Sequence, residues 1–328
     1  MLVYLLEKMG YNNPTTQIGR IGILKLLKKK KLGNIKNYWQ LYVMLLPALI
    51  YLLVFNYLPL YGIQVAFRDY RLVDGVMGSP WVGLKHFKRF FDAYYFERLI
   101  KNTLVLNINY LLWSFPFPII IAILLNQIRS DKRKRFVQTT IYVPHFISTV
   151  VMAGMIYLFL SPSGGILNSV MGALGLAPLD LMSEAGAFRS IYTVSGVWQG
   201  AGYSSILFVA TLAGIDPSLY EAAEIDGASI WKKIRYIDIP SILPTAAMVL
   251  ILDFGKLMNS NTDKVLLLQT AGNISTSDII GTYVFNVGVQ GGQFSYTAAI
   301  GLFSNLVNLA LILLFNKISK KISNIGLF

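Results

Sequence analysis

The fold is decided by Asp216-Pro217-Ser218-Leu219-Tyr220-Glu221-Ala222-Ala223-Glu224-Ile225-Asp226-Gly227-Ala228-Ser229-Ile230-Trp231-Lys232-Lys233-Ile234-Arg235-Tyr236-Ile237-Asp238-Ile239-Pro240. Asp216 followed by Pro217 is an N-cap with proline at the first helical position. Leu219 to Ile225 holds good helix formers for about two turns. Gly227 then turns the chain. A second short helix runs toward Pro240, which is expected to break it. Leu219, Tyr220, Ala222, Ala223 and Ile225 are too apolar for a helix that meets only water. The small alanines admit another surface closely. This is the pattern of a docking element for a partner.

On both sides of this loop the chain becomes almost free of charge. Of its 328 residues 55% are hydrophobic and only 14% charged, and the mean hydropathy is +0.55. A soluble domain carries roughly 25% charged residues, so a disordered chain and an ordinary soluble enzyme are both excluded. A membrane helix needs about 20 mostly apolar residues. Windows without Asp, Glu, Lys or Arg predict spans at about 41–61, 102–126, 137–160 and 190–213, and at 297–315. A span at 242–258 reaches length only if Asp253 and Lys256 are admitted. Proline and glycine inside these windows, such as Pro47, Pro144 and Gly202, are tolerated in lipid because neighbouring helices satisfy the freed backbone. The expected organisation is all-α: residues 1–39 as an N-terminal segment, 40–316 as a six-span domain with the loop 216–240, and a tail, 317–328.

Lysine and arginine orient the spans. The N-terminal segment, the second-to-third connection, the loop at 216–240 and the tail together hold 19 of the 29 basic residues. With six spans these four segments share one side, so both termini are expected in the cytoplasm. The stretch Arg68–Lys101 carries seven basic residues and its own acids, and is expected to be a folded external segment. The Lys28–Lys31 run fits an anchor beside the first span better than a nucleic-acid patch. Gln17–Lys36 reads as an amphipathic interfacial helix with Ile18, Ile21, Leu24 and Leu27 on one face. Met1–Gly10 lacks the features of a secretory signal.

Glu221-Ala222-Ala223, Asp226-Gly227-Ala228 and Ile237-Asp238-Ile239-Pro240, with Pro244 beyond, resemble the EAA loop of bacterial ABC importer permeases. Further stretches are similar to the multiple-sugar and polysaccharide branch: Gly78–Phe87, Pro144–Ser148, Ser277–Val284 and Tyr296–Phe303. Asn259–Lys264 departs from that branch, which usually carries a Gly-Phe-Glu type sequence there. The resemblance implies a type I importer in the bacterial inner membrane. Two homologous permeases would form the pore. Two ATPase subunits would dock on the loops through Glu221, Ala222, Ala223, Asp226 and Gly227. An external solute-binding protein would deliver an oligo- or polysaccharide. ATP and Mg would sit on the ATPase, with no cofactor on this chain.

The residues agree that nucleotide chemistry lies elsewhere, since no G-x-x-x-x-G-K-[ST] loop is present. No catalytic residues and no metal ligands are predicted: Cys is absent, and His145 has no second His near it. Asp253 and Lys256 are three apart on one face if the helix continues through both. Each costs about 2.5–3.5 kcal/mol at the bilayer centre, so both should face protein or water. They pair, or Lys256 snorkels to a helix end; both readings stay open. Trp198, Gln199 and Tyr203 offer a flat apolar face and hydrogen-bonding groups that suit a sugar, and Asn305 adds an amide. Ordinary helix packing around Gly200 and Gly202 is the competing account of the first three. The competing functions are a stand-alone secondary transporter or channel for small polar solutes, which needs internal ionisable relays, and a membrane-embedded glycosyl-transfer enzyme, which needs carboxylates or a metal.

Overall fold

The computed structural model describes residues 38–323 and 326–327. The interfacial helix expected over 17–36 lies outside the described residues. The chain divides into two compact units, 1–63 and 64–328. In the first, helix α1 (Trp39–Leu52) carries Pro47 inside it and passes into a π-helical turn, Leu53–Tyr57. It buries none of its side chains.

The second unit opens with a folded, strandless segment. The Arg68 guanidinium donates to the carbonyls of Met77 and Ser79 and lies 5.5 Å from the Trp81 ring centroid. Lys85 bonds Asp69 at 2.7 Å, which holds the Asp69 carboxyl below its usual range. Helix α2 (Lys85–Phe91) follows, then α3 (Phe96–Ser114) and α4 (Pro116–Asn126) in one run. After α5 (Asp131–Tyr142) and α6 (Thr149–Leu160) comes the long α7 (Ala185–Ala213). Then come α8 (Pro217–Ile225), α9 (Ile239–Phe254), α10 (Thr262–Leu268) and α11 (Phe294–Ser323). Short helical turns join them, and among the described residues β-structure is limited to two isolated bridges. Four helical runs are long and apolar enough to cross a membrane: Trp39–Phe67, Phe96–Asn126, Ile230–Phe254 and Phe294–Lys321. Counting each of two bent pairs as one span gives six.

Three clusters hold the second unit together. Leu106, Met152, Phe188 and Leu268 join α3, α6, α7 and α10. Phe90, Leu99, Tyr296 and Ile300 join α2, α3 and α11. Ala122, Phe208, Leu212 and Ile242 join α4, α7 and α9. Burying one such large side chain contributes about 1.5–3 kcal/mol. At Gly202 α7 touches the Ile141 carbonyl, where a Cβ would collide with backbone.

The backbone departs from the expected spans in three places. The segment expected as one helix at 137–160 is bent by 94°. Pro144 sits in a 3-10 turn, Ile147 is extended, and Ser148 caps α6 by accepting from the Val151 N–H at 3.3 Å. Pro240 does not break its helix. A π-helical turn, Ile234–Asp238, carries Ile230–Lys233 directly into α9, and the Ser241 hydroxyl donates to the Ile237 carbonyl at 2.7 Å. Finally, α9 stops at Phe254, so Lys256 lies beyond it rather than on one helical face with Asp253. Gly255 packs where a Cβ would strike Ile312. Past it two amides replace the helical hydrogen bonds. Asn107 donates to the Leu257 carbonyl at 2.8 Å, and Asn308 accepts from the Met258 N–H at 2.9 Å. Irregular backbone at membrane depth is stable only with such partners.

Candidate functional site

This unwound segment forms one wall of a cavity of about 890 Å³. Asn107 and Tyr110 on α3 form a second wall, and Tyr192, Gly196, Gln199 and Tyr203 on α7 a third. Asp253, Lys256, Asn259, Ser260, Asn261 and Lys264 complete it. The volume suits a sugar of a few rings, and the lining mixes aromatic faces with amides and hydroxyls. His145 stacks on Tyr203 with centroids 3.9 Å apart, so the imidazole stiffens an aromatic wall. Gln199 donates to the Ile147 carbonyl at 2.7 Å, tying α7 to the bend between α5 and α6.

Of the six pathway residues expected from sequence, Gln199, Tyr203, Asp253 and Lys256 meet in this cavity. Trp198 does not line it. Adjacent helical residues point about 100° apart, and Trp198 lines a second, apolar cavity of about 700 Å³ with Trp113 and Phe117. Asn305 is exposed on α11 and lines neither cavity. The ion pairs of the described residues fall elsewhere, so Asp253 and Lys256 share the cavity without bonding each other.

Lys264, Tyr192 and Tyr110 were not singled out by sequence reasoning. Lys264 is only 3% exposed. Asn261 caps α10 by accepting from the Lys264 N–H at 3.1 Å, and its own N–H donates to the Tyr192 hydroxyl at 3.2 Å. The signal available was the polar run Asn259–Lys264, which departs from the family pattern and supplies four of the lining residues.

At the far end of α7 the chain bends by 71° into α8. The Asp216 carboxylate accepts from the Ser218 N–H at 3.0 Å, which lowers its pKa. Gly227 adopts φ +68°, the left-handed turn that separates α8 from Ile230–Lys233. Lys233 bonds Glu224 at 2.6 Å across that turn and lowers the Glu224 pKa. Glu221, Ala222 and Asp226 are exposed and Ala223 is half-buried. Ile225 and Trp231 stand out by 87% and 79%, an apolar surface that nothing in this chain covers among the described residues.

Beneath α8 lies a buried node that the sequence did not announce. Asp238 is fully buried. It accepts from the Tyr220 hydroxyl at 2.5 Å, from Gln127 at 3.0 Å and from Asn126 at 3.4 Å. Burial and the Asp238 bond push the Tyr220 hydroxyl up to about 12. One carboxylate therefore joins α8, the end of α4 and the start of the α9 run.

Comparison with known proteins follows the same lines. The family described as "Binding-protein-dependent transport system inner membrane component" matches residues 114–324. The chain is 40% identical over 308 residues to the polygalacturonan/rhamnogalacturonan transport system permease protein YteP of Bacillus subtilis (strain 168), covering 93% of this chain and 96% of that one. It is 40% identical over 293 residues to protein LplB of the same organism, covering 89% and 92%. Its structure is similar to a chain in the crystal structure of a bacterial ABC transporter involved in the import of the acidic polysaccharide alginate. The TM-score is 0.81 at 38% identity, covering 90% of this chain and 99% of that one. A second crystal structure holds the alginate transporter in complex with an alginate pentasaccharide-bound periplasmic protein, and matches equally well.

Proposed function

This chain belongs to the family of binding-protein-dependent transport system inner membrane components, and on that premise we propose that it is one permease subunit of an ATP-driven saccharide importer. The observation that carries the reading is the path of α7. It lines the larger cavity from Tyr192 through Gln199 and Tyr203 as far as Ala210, and its end leads into the exposed helix α8. One rigid element thus touches both a sugar-sized site and a docking surface. The cargo is an oligo- or polysaccharide, in line with relatives named for polygalacturonan, rhamnogalacturonan and alginate.

Two ATPase subunits, which bind ATP and Mg, take α8 into a cleft. The small residues Ala222 and Ala223 permit close approach there, and the Glu221 and Asp226 carboxylates meet basic groups. Gly227 sets the angle between α8 and the segment after it. A second, homologous permease completes the pore. An external binding protein hands over the ligand. Both termini and α8 lie in the cytoplasm, a placement supported by the clustering of basic residues in these segments.

Ala223→Asp tests the reading, because it puts a charge into a close-packed contact without touching a span. A hot-spot contact of this kind costs about 2–4 kcal/mol when disrupted. Complexes carrying Ala223→Asp should insert normally but lose ATPase subunits on purification, and with them uptake. Retention of ATPase and wild-type uptake would remove α8 as the coupling element. Uptake by this chain without any ATPase would instead support a secondary transporter or channel.

A further inference from the structure

Lys264 is a buried cation with no counter-ion among the described residues. Its Nζ donates at 3.0 Å to the Tyr192 carbonyl, a neutral acceptor, and lies 4.9 Å from the Tyr192 ring centroid. An ammonium has three donors, and this bond uses one. Among the described residues the ion pairs within 4.0 Å do not include Lys264. Burying a charge without a partner is costly, and such a group is retained where something else supplies the charge.

The surroundings hold Nζ where it can meet a ligand. A Cβ on Gly196 would lie 3.2 Å from Nζ and would run into the Tyr110 ring, so the glycine lets Lys264 and Tyr110 lie against the α7 backbone. Lys264, Tyr110, Tyr192 and Gly196 all line the large cavity. Its other charged groups are Asp253 and Lys256. The lining therefore carries an excess of one positive charge, within a wall otherwise built of neutral amides, hydroxyls, aromatic rings and aliphatic side chains such as Leu111, Leu207 and Val249.

From this we infer that Lys264 is the group that receives a ligand carboxylate in the cavity, and that the substrate class is uronate-bearing saccharide. The inference rests on the importer reading and deepens it. The ammonium would bond a carboxylate oxygen with its free donors while Tyr110 and Tyr192 pack against the ring. A charge-assisted bond of this kind is stronger than one between neutral groups, more so in a site screened from water. A neutral sugar would leave the cation as it stands, so the site discriminates by charge.

The test uses the complete complex of permeases and ATPases in lipid nanodiscs, without the external binding protein, so that selectivity belongs to the pore. Binding of a galacturonate oligosaccharide and of its carboxyl-reduced counterpart is followed by saturation-transfer NMR. The native complex should bind the acidic ligand at least tenfold more tightly. Lys264→Gln keeps a donor for the Tyr192 carbonyl but loses the charge. It should bring the preference within twofold and leave the affinity for the reduced ligand unchanged, while Lys264→Arg should keep the preference. Equal binding of both ligands by the native complex would overturn the assignment, whether or not the variants assemble. So would a preference that survives Lys264→Gln, or a loss of both ligands together, which marks a purely structural lysine. Saccharide-stimulated ATP hydrolysis alongside any of these results leaves the importer standing and removes only Lys264. Absence of stimulation by any saccharide delivered on its binding protein removes both.

Discussion

Tyr220→Phe should uncouple helix α8 from the spans that line the cavity. The substitution removes one oxygen. Asp238 would lose its shortest bond and keep Gln127 at 3.0 Å and Asn126 at 3.4 Å, the second too long to replace what is lost. A hydrogen bond to a charged group contributes about 1.5–3 kcal/mol. At about 1.4 kcal/mol per tenfold, the equilibrium that seats α8 on the α4 and α9 ends shifts roughly 10- to 100-fold toward release. Because Tyr220 is half-buried rather than in the core, insertion and assembly should survive. The assay is the ratio of saccharide imported to ATP hydrolysed by reconstituted complexes. We expect hydrolysis to persist and the ratio to fall at least fivefold. Gln127→Leu, which removes the donor to the other Asp238 oxygen, should act in the same direction. A ratio within twofold of the native value in both variants would refute the node as a mechanical link.

Other outcomes follow from the same geometry. Gly227→Ala places a side chain at φ +68° with open space around its Cβ, so its cost is backbone strain alone, about 1–2 kcal/mol; it should lower the thermal stability of the ATPase-bound complex, and an unchanged melting curve would count against a fixed angle after α8. Burial pushes the Lys264 amine down to about 8 from 10.5, so binding of an acidic saccharide should weaken as pH rises through about 8, while Lys264→Arg stays level. The titratable groups facing Lys264 are Tyr110 and Tyr192, Asp253, Lys256 and His145 in the cavity lining, and Asp263 on its own helix. The linkage has the opposite sign for stability: the folded state binds fewer protons than the unfolded one between about 8 and 10.5, so stability rises across that window while affinity falls. Unfolding therefore cannot imitate the effect, and a pH-independent affinity up to 10 would exclude a titrating Lys264. Native cysteine is absent, so Leu176→Cys and Lys232→Cys report sidedness cleanly; an impermeant thiol reagent should reach the first from outside and the second only from the cytoplasm.

What the sequence disclosed, and what it withheld, divides along physical lines. Apolar windows are set by solvation, a property each residue carries with it, so the spans could be read from the absence of charge. The start of α8 was legible for a similar reason: Asp216 and Pro217 act within one turn of themselves. The bend at Ile147, the π turn at Ile234–Asp238 and the end of α9 depend on partners far along the chain. Asn107 must reach Leu257, and Asn308 must reach Met258, before the backbone there can leave the helix. The α9 end in turn moved Lys256 off the helical face assigned to it. Trp198 and Gln199 show a finer limit. The composition suited a sugar at both, but only the facing of α7 decides that Gln199 meets the polar cavity and Trp198 the apolar one. The burial of Lys264 is not written in its sequence neighbours, because Tyr192 and Gly196, which enclose it, lie about 70 residues away.

The cavity and the docking end are joined by two elements rather than one, and this constrains how force could pass between them. Helix α7 carries Gly196 at the cavity and ends at Ala213 beside α8. Seventeen residues at 1.5 Å each put these points about 26 Å apart. The α3–α4 run carries Asn107 and Tyr110 at the same cavity and ends in Asn126 and Gln127 at the Asp238 node. The two runs pack side by side through Ala122, Phe208 and Leu212, where close-packed side chains resist sliding. A displacement of α8 thus reaches the cavity along both helices together, as one body. The unwound segment Lys256–Asn261 on the opposite wall has no such continuity. It is held by side-chain amides, whose bonds can exchange without unfolding a helix. On the proposed importer function, opening and closing of the cavity would break and remake the bonds that Asn107 on α3 and Tyr192 on α7 make to that segment, and Lys264, fixed to Tyr192 on the one side and to Asn261 on the other, sits at the seam.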